Sequence, residues 1–311
     1  SDGNVVGIFG VDHYIAGSSG DFSGPGLVRL YRYSSSNTAW TNYGGGITGD
    51  LSAKVFGKSI ALSDSGNQVA IAVHKHTANS ADLEHVIVKD FNQTASKWGN
   101  YGQRINNGDE VYSSRHQIDI TPNGLRLAIS VQYNDKDEKD TIGHIRIYDL
   151  VKSNNTWVQV GSDIVGKKGE KLGERFVRLN SFDGSTVMFN VDKNSLRVYK
   201  YTQSEQEWSQ LGEDIGINQV WSGAISGDGN RIAISSYTQW KNFAGRVYAF
   251  DFIVSSTRSK WKQVGNVIMG VGGVRKFRSG VLGDGFGKSI SMSSDGNLLA
   301  ISAVQGECDG E

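Results

Sequence analysis

One phrase of eight residues recurs five times along this 311-residue chain, and it constrains the fold more than any other feature. Each copy has tryptophan first, an aromatic or apolar residue fourth, glycine fifth and isoleucine eighth. The copies begin at Trp40, Trp98, Trp157, Trp208 and Trp261, and their spacing runs from 51 to 59 residues. Because self-similarity at a period of about fifty residues is typical of propellers and solenoids, the phrase predicts a repeat protein.

Each repeat divides into four short segments with strand-like patterns. The first strands include 56–63 and 286–293, and the second strands, apolar on both faces, include 68–73 and 298–303. Third strands with strict alternation occupy 27–33, 144–150 and 196–201, and the tryptophan phrase supplies the fourth strand. A pair ending in glycine joins the first two strands, as in Asn123-Gly124 and Asp228-Gly229, and predicts two-residue hairpins. A second strand that is apolar on both faces predicts burial between neighbouring sheets.

These patterns predict an all-β fold, a β-propeller of four-stranded antiparallel blades with five repeat units evident and five to seven blades in all. Strand periodicity excludes a helical solenoid, and a sandwich has no need of a fifty-residue repeat. We expect one domain over residues 1–311, and the start of the chain in mid-repeat suggests a segment of a larger polypeptide. The five repeat tryptophans are interpreted as structural anchors of the outer strands.

The repeats resemble those of secreted and cell-surface β-propellers, and are related in pattern to FG-GAP and WD-type repeats. The resemblance rests on the F-G-K-S-I starts, the S-x-D-G-N turns, the G-x-[IV]-R-[IV]-Y third strands and the tryptophan phrase, and it covers essentially the whole chain. It implies a propeller fold but no particular activity. The chain lacks both the D-x-D-x-D-G calcium loop of integrin-type repeats and the Trp-Asp ending of WD repeats.

Net charge, cysteine content and glycosylation sequons limit the classes of partner and the location that we expect for the protein. The 32 basic and 32 acidic residues cancel, so no overall field attracts nucleic acid, and no apolar run is long enough to insert in a membrane. The single cysteine, Cys308, allows no internal disulfide and is either a free thiol or the point of a covalent link to a partner. Asn92 and Asn154 begin N-x-[ST] sequons in equivalent turns, so we expect glycosylation there and an extracellular or cell-surface location.

The connections that differ between repeats are the expected binding face. They cover 11–26, 74–85, 132–143 and 237–245. Exposed aromatic side chains grip sugars and flat protein surfaces, and the candidate ligand-binding residues are Trp221, Tyr237, Trp240, Phe243 and Tyr133. Packing over a blade edge is the alternative interpretation of these side chains.

Two candidate metal sites compete with simpler interpretations. Asp135, Asp137 and Asp140 alternate along one connection and could bind calcium, but two lysines intervene, no glycine provides the sharp turn, and a solvated charged loop is the favoured interpretation. His74, His76 and His85, with Asp82, could hold zinc or form a metal-free surface group. We therefore predict no required cofactor, although calcium binding is possible.

The sequence favours a non-enzymatic extracellular binding or structural module that acts in adhesion or assembly through protein or glycan contacts, as part of a surface filament or matrix protein. No G-x-S-x-G, H-E-x-x-H or P-loop motif is present. The first alternative is a carbohydrate-active enzyme, a glycoside hydrolase or lyase, whose carboxylates sequence spacing cannot locate. The second alternative is an intracellular interaction scaffold.

Overall fold

The structure of the protein is a computed structural model. It describes residues 4–10, 26–49, 55–74, 85–106, 116–131, 142–237, 245–256, 258–270, 275–277, 280–282 and 285–303. The chain divides into two compact units, residues 1–171 and 172–311. Regular structure in the described residues is entirely β, and no helix described there could span a membrane.

Unit 1 contains three antiparallel sheets in its described residues. Sheet 1 comprises β1 (Val5–Gly10), β2 (Leu27–Ser34) and β3 (Ala39–Thr48). Sheet 2 comprises β4 (Val55–Leu62), β5 (Gln68–His74), β6 (His85–Asn92), β7 (Lys97–Asn100) and β8 (Ile105–Asn106). Sheet 3 comprises β9 (Ile118–Ile120), β10 (Arg126–Val131), β11 (His144–Val151), β12 (Thr156–Gln159) and β13 (Ile164–Val165).

Unit 2 repeats the pattern. Sheet 4 comprises β14 (Val177–Leu179), β15 (Thr186–Asn190), β16 (Ser195–Thr202), β17 (Glu207–Gln210) and β18 (Ile215–Gly216). Sheet 5 comprises β19 (Val220–Ile225), β20 (Arg231–Ser236), β21 (Arg246–Ile253) and β22 (Lys260–Met269). A hairpin of β23 (Arg275–Phe277) and β24 (Gly280–Leu282) precedes sheet 6, formed by β25 (Phe286–Met292) and β26 (Leu299–Ala303).

The strands of sheets 2 to 5 follow one another in space as they do in sequence, each antiparallel to the last. The tryptophan strand is split in sheets 2, 3 and 4, where its second piece (β8, β13 or β18) pairs separately with the third strand. Positive-φ glycines lie between the two pieces, at Gly102, Gly161 and Gly212. The predicted single fourth strand is therefore broken by the glycine of the repeat phrase in these sheets.

The turn between the first and second strands differs from the predicted two-residue hairpin. Only its glycine has positive φ (70° at Gly124 and 74° at Gly229), and the residue before it does not. In sheet 5 a serine side chain closes the turn instead: Ser226 Oγ donates to Asp228 Oδ1 at 2.6 Å and accepts from the Arg231 N–H at 2.9 Å. The wider four-residue turn is stabilised because the hydroxyl supplies an extra donor and acceptor.

Apolar cores lie between neighbouring sheets within each unit. Sheets 1 and 2 enclose Val28, Leu30, Val69 and Ile71, while sheets 2 and 3 enclose a larger cluster around Ile129. In unit 2, sheets 4 and 5 pack around Met188 and Ile234, and sheets 5 and 6 around Ala233 and Ile290. The second strands are buried on both faces, as their composition predicts; in β10, Leu127, Ala128 and Ile129 have no exposed surface.

An equivalent hydrogen bond at Trp98, Trp157 and Trp261 links each of their sheets to the preceding sheet. The indole N–H donates to the carbonyl of the residue three positions after the preceding repeat's tryptophan: Trp98 to Tyr43 at 3.1 Å, Trp157 to Tyr101 at 2.7 Å and Trp261 to Leu211 at 2.8 Å. Each acceptor is followed by a glycine with φ near +80°, and a Cβ on that glycine would overlap the incoming indole. The glycine of the phrase therefore makes room for the next tryptophan.

The remaining two tryptophans differ in exposure. Trp208 is 6% exposed and packs against Tyr201, with ring centroids 5.2 Å apart. Trp40 belongs to the first repeat and is 48% exposed, with Tyr33 at 5.5 Å.

Gly44 and Gly45 allow the role of the glycine to be tested, because both have φ of 78°. A Cβ on Gly44 would lie 2.5 Å from Cε2 of Phe91 and overlap the Trp98 indole nitrogen, whereas a Cβ on Gly45 meets nothing within 4 Å. We expect Gly45→Ala to lower the free energy of unfolding by roughly 1–2 kcal/mol through backbone strain alone. Gly44→Ala should cost about 1–3 kcal/mol more through overpacking. Urea denaturation measures both, and equal losses would contradict the account of the tryptophan contact.

Candidate active site

One end of each sheet carries the residues that differ most between repeats. It is the end where the second strand finishes and the third begins, and we call it the connection end. There a side chain on the second strand accepts a hydrogen bond from a backbone N–H of the first strand. Ser130 accepts from Gln117 at 2.9 Å, Asn190 from Phe176 at 3.3 Å, and Ser235 from Ser222 at 3.0 Å. This contact fixes the direction in which each first strand begins.

We call the residue that precedes this N–H donor in the sequence the leading position of its sheet. Strand register shows that these residues are equivalent. His116 lies two residues before Ile118, which pairs with Ile129, and Trp221 lies two residues before Gly223, which pairs with Ile234. The leading positions are Lys58, His116, Arg175, Trp221 and Lys288. The scaffold residues around them repeat, whereas this position changes chemistry from sheet to sheet, as expected for residues that serve a ligand rather than the fold.

In sheet 3, the leading residue lies beside a second buried histidine. His116 is 1% exposed and His144 is 5% exposed. His144 pairs with Val131, and His116 lies two residues before Ile118, so both flank Val131 at the connection end. Opposed residues in antiparallel strands project to the same face, so the two imidazoles share one side of the sheet.

The hydrogen bond of His116 fixes its tautomer. Its Nδ1 lies 3.1 Å from the carbonyl oxygen of Ser130, and a carbonyl oxygen can only accept. Nδ1 therefore carries the proton, and Nε2 of the neutral ring carries the lone pair. A backbone carbonyl that orients an imidazole in this way is a common preparation of a histidine for base or ligand chemistry.

Burial keeps His144 neutral. Loss of solvation is the largest cause, and with the positive charge of Arg146 it outweighs the opposing contribution of Asp163, so the pKa of His144 falls from 6.5 to about 4. Its Nε2 is buried and has no hydrogen-bond partner among the described residues. Leaving such an atom unpaired costs about 1–3 kcal/mol, which favours a role in contacting a ligand or water.

An ion pair lies next to the two histidines. The Arg146 Nε donates to Asp163 Oδ2 at 2.9 Å, and Gln159 Nε2 donates to Asp163 Oδ1 at 2.7 Å. Burial alone would raise the pKa of Asp163. The hydrogen bonds from Arg146 and Gln159 and the positive charge of Arg146 outweigh burial, so the net pKa is lowered and the carboxylate stays ionised. Sheet 4 has the same arrangement without the histidines, where Arg197 Nε lies 2.6 Å from Asp214.

Two of the candidate ligand residues lie together in unit 2. Trp221 and Tyr237 meet edge to face, with ring centroids 5.5 Å apart and an interplanar angle of 80°. The Arg175 guanidinium lies 4.3 Å from the Trp221 ring centroid. The two leading residues of sheets 4 and 5 therefore form one cluster with Tyr237.

The backbone beneath this cluster is irregular. Pairing of β19 with β20 shifts register between Val220 and Ser222, which leaves Trp221 on a bulge. Gln219 has φ of 59°, and the other four positive-φ non-glycine residues all lie two positions before a repeat tryptophan. Bulges re-aim side chains, and strained backbone concentrates at functional sites. The sequence identified these aromatic residues but gave no sign of the bulge.

The other candidate residues are placed as follows. Tyr133, Trp240, Phe243, Asp135, Asp137 and Asp140 lie outside the described residues, as do His76, Asp82, Cys308 and the His74 side chain. His85 is buried at the start of β6. Asn92, the last residue of β6, and Asn154, in a turn, are both exposed, and glycosylation of either stays a prediction. No group of three metal-ligating side chains occurs among the described residues, and the calcium and zinc hypotheses stay untested.

His116 and His144 were missed by the sequence reasoning. Register was the signal that could have found them: alignment on the Gly124-type turn places His116 in a column with Lys58 and Trp221. His144 aligns with His85 at the start of the third strand.

Solved structures share the fold at low identity, and no protein-family model or curated protein matches the chain. A protein from Lactobacillus plantarum has a TM-score of 0.56 at 10% identity over 96% of this chain. A Bacteroides fragilis protein provisionally named 6-phosphogluconolactonase scores 0.55 at 13% over 97%. The Pseudomonas aeruginosa periplasmic gluconolactonase scores 0.54 at 12% over 96%, and the chain spans 75% of each of these proteins.

These similarities confirm the predicted fold, an all-β propeller of four-stranded antiparallel blades. They also correct the predicted function. The expectation of a non-enzymatic adhesion or assembly module is wrong, because proteins with this fold include ones named as gluconolactonases. The comparisons favour the carbohydrate-active enzyme that the sequence left as an alternative, and no match to FG-GAP or WD-type repeats supports that part of the resemblance.

The lowered pKa of His144 makes stability depend on pH in a defined window. Above pH 6.5 the ring is neutral in both states; as the pH falls toward 4, only the unfolded chain takes up the proton, so stability decreases and then levels off. We expect a loss of about 2 kcal/mol between pH 7 and pH 5 from this group. Urea denaturation of the parent and His144→Gln proteins isolates it, and identical pH profiles for the two would contradict the assignment.

Proposed function

We propose that the chain is a carbohydrate-active hydrolase that opens a sugar-derived lactone, with the paired histidines of sheet 3 as its reacting groups. The observation that carries the proposal is the buried, neutral His144, whose Nε2 has no hydrogen-bond partner among the described residues, beside His116, whose Nδ1 lies against the Ser130 carbonyl oxygen. Two neighbours in fold named as gluconolactonases support the substrate class.

The chemistry requires one water molecule and no cofactor. His116 Nε2 accepts a proton as the water oxygen attacks the lactone carbonyl carbon, and a hydrogen bond from the neutral His144 ring holds a substrate oxygen. The ring C–O bond then breaks, and its oxygen takes the proton from His116 to become the hydroxyl of the sugar acid. Arg146 and Asp163 form an ion pair on the face of sheet 3 where His144 lies. The lowered pKa of Asp163 keeps this pair charged near neutral pH.

We also propose that Trp221 and Tyr237 contact a sugar ring. An indole face presents apolar area to the C–H groups of a pyranose, and the adjacent guanidinium of Arg175 supplies hydrogen-bond donors. Extracellular or exported location is part of the same proposal, since the Pseudomonas neighbour is periplasmic and Asn92 and Asn154 are exposed.

Hydrolysis of glucono-1,5-lactone tests the catalytic proposal. The purified chain should accelerate acid release above the spontaneous rate in a pH-stat at pH 6.5, with 6-phosphogluconolactone as a second substrate. His116→Gln should lower kcat/KM by about 100-fold or more, because it removes the proton acceptor.

The control is Asp214→Asn, which disrupts the matching ion pair of sheet 4, where no histidine is adjacent, and should retain activity. A wild-type rate equal to background for both lactones, or a His116→Gln protein with full activity, would refute the proposal.

Binding of gluconate by calorimetry tests the aromatic contact. Trp221→Ala should weaken binding by about 10-fold, which is the loss expected for one aromatic contact. Trp40→Ala removes an exposed tryptophan outside the cluster and should leave the affinity unchanged. Equal affinities for the parent and Trp221→Ala proteins would exclude the indole from the binding surface.

A further inference from the structure

The outer strand of sheet 5 exposes apolar residues whose counterparts in other repeats are buried. The isoleucine that ends the repeat phrase is 4–8% exposed in its first four copies, at Ile47, Ile105, Ile164 and Ile215. In the fifth copy Ile268 is 44% exposed, and Val264, the fourth residue of the phrase, is 37% exposed. The fifth phrase therefore has the composition of the others but is left uncovered on one face.

Strand pairing identifies the uncovered face. Val264 pairs with Ala249 and Ile268 pairs with Val247, and opposed residues of antiparallel strands project to the same face. Val247 clusters with Ile290 of sheet 6, so this is the face on which the next repeat lies. The described strands of sheet 6 cover its inner part, while the outer part, on β22, stays exposed.

This exposed part contains an empty socket for a tryptophan. We define the socket as the Val264 carbonyl with Gly265, the counterparts of Tyr101 with Gly102, which receive the Trp157 indole. Both glycines have positive φ, 67° at Gly265 and 82° at Gly102. A Cβ on Gly102 would overlap Trp157, whereas a Cβ on Gly265 meets nothing within 4 Å. The backbone that accepts an indole is therefore present, and none of the described tryptophans fills it.

Sheet 1 presents the complementary side chains. Tyr33 and Trp40 lie with ring centroids 5.5 Å apart and an interplanar angle of 60°. Phe252 and Trp261 form an equivalent pair, 5.2 Å apart at 57°, and both pack over Gly212 of the preceding repeat. Tyr33 and Trp40 are instead 37% and 48% exposed. The aromatic pair of sheet 1 thus has the arrangement that fills a socket elsewhere in the chain.

We propose that Trp40 of one copy of the chain occupies the socket at Gly265 of a second copy. The indole N–H donates to the Val264 carbonyl, as Trp157 donates to Tyr101, and Tyr33 packs beside it. A second copy is the occupant because the aromatic pair and the socket are both exposed on one polypeptide. Their contact also repeats one that the chain already makes at Trp98, Trp157 and Trp261.

The proposed contact joins two unlike surfaces. Each copy therefore offers one tryptophan and one socket, which is a head-to-tail arrangement. Because sheet 6 covers the inner part of the face, the second copy contacts sheet 5 through its outer strands only. The interface is accordingly small, and we expect weak, concentration-dependent association.

Sedimentation velocity of the full chain tests the association. The weight-average mass of the parent protein should rise between about 1 and 100 μM. Trp40→Ala removes the donor and Gly265→Ala places a methyl group in the socket, so each should weaken association by about 30-fold or more. Phe182→Ala, on an exposed turn of sheet 4, should associate like the parent. So should Gly45→Ala, which carries comparable backbone strain outside the socket.

Mixing the two variants separates a head-to-tail contact from any other. Trp40→Ala keeps its socket and Gly265→Ala keeps its tryptophan, so the mixture should form a complex of two copies and nothing larger, although each variant alone stays largely monomeric. Ile268→Lys is a second socket variant, free of backbone strain, and should behave as Gly265→Ala does.

A parent protein that stays monomeric throughout this range, full association of Trp40→Ala, or the absence of a complex in the mixture would overturn the proposal. None of these variants alters His116 or His144, so the result is independent of lactone hydrolysis.

Discussion

The indole hydrogen bonds of Trp98, Trp157 and Trp261 to the preceding repeat hold neighbouring sheets of each unit together. The donor is one side chain, but its acceptor is a backbone carbonyl, and the space it enters exists only because glycine follows that carbonyl. Gly102 from one repeat and Trp157 from the next therefore form one contact, and each residue is needed for it. A repeat that lost either residue would lose the contact on one of its sides, since neighbouring units in such proteins stabilise each other pairwise.

The fold was predictable because its determinants are local and repeated. Strict alternation in 144–150 and the apolar run in 68–73 located β11 and β5 to within one residue of their ends. The turn chemistry was less accessible: Asp228-Gly229 suggested a two-residue hairpin, but the Ser226 hydroxyl stabilises a wider loop. A side chain three positions away decided the geometry, and dipeptide preferences do not contain that information.

The candidate sites depend on contacts that the sequence does not display. Trp221 and Tyr237 were identifiable as unusual aromatics, but the bulge at Trp221 and the position of Arg175 over its ring arise from strand register. His116 and His144 are 28 residues apart in sequence and flank one valine in the sheet. The search for motifs with local spacing passed over them because the fold, and not the chain, makes them neighbours.

Sheets 2 and 3 illustrate how one scaffold acquires two chemistries. Sheet 3 keeps Arg146 and Asp163 as an ion pair, and the lowered pKa of His144 beside it keeps that ring uncharged near neutral pH. Sheet 2 has Ile87 and Arg104 at the matching positions, and a cavity of about 250 Å³ lies beside them. Val86 packs with Ile129 against sheet 3, on the face of β6 opposite to Ile87, so the exchange in sheet 2 leaves that core unchanged. Stability is supplied by residues that every repeat shares, so the outer positions of a groove are free to diverge toward different ligands.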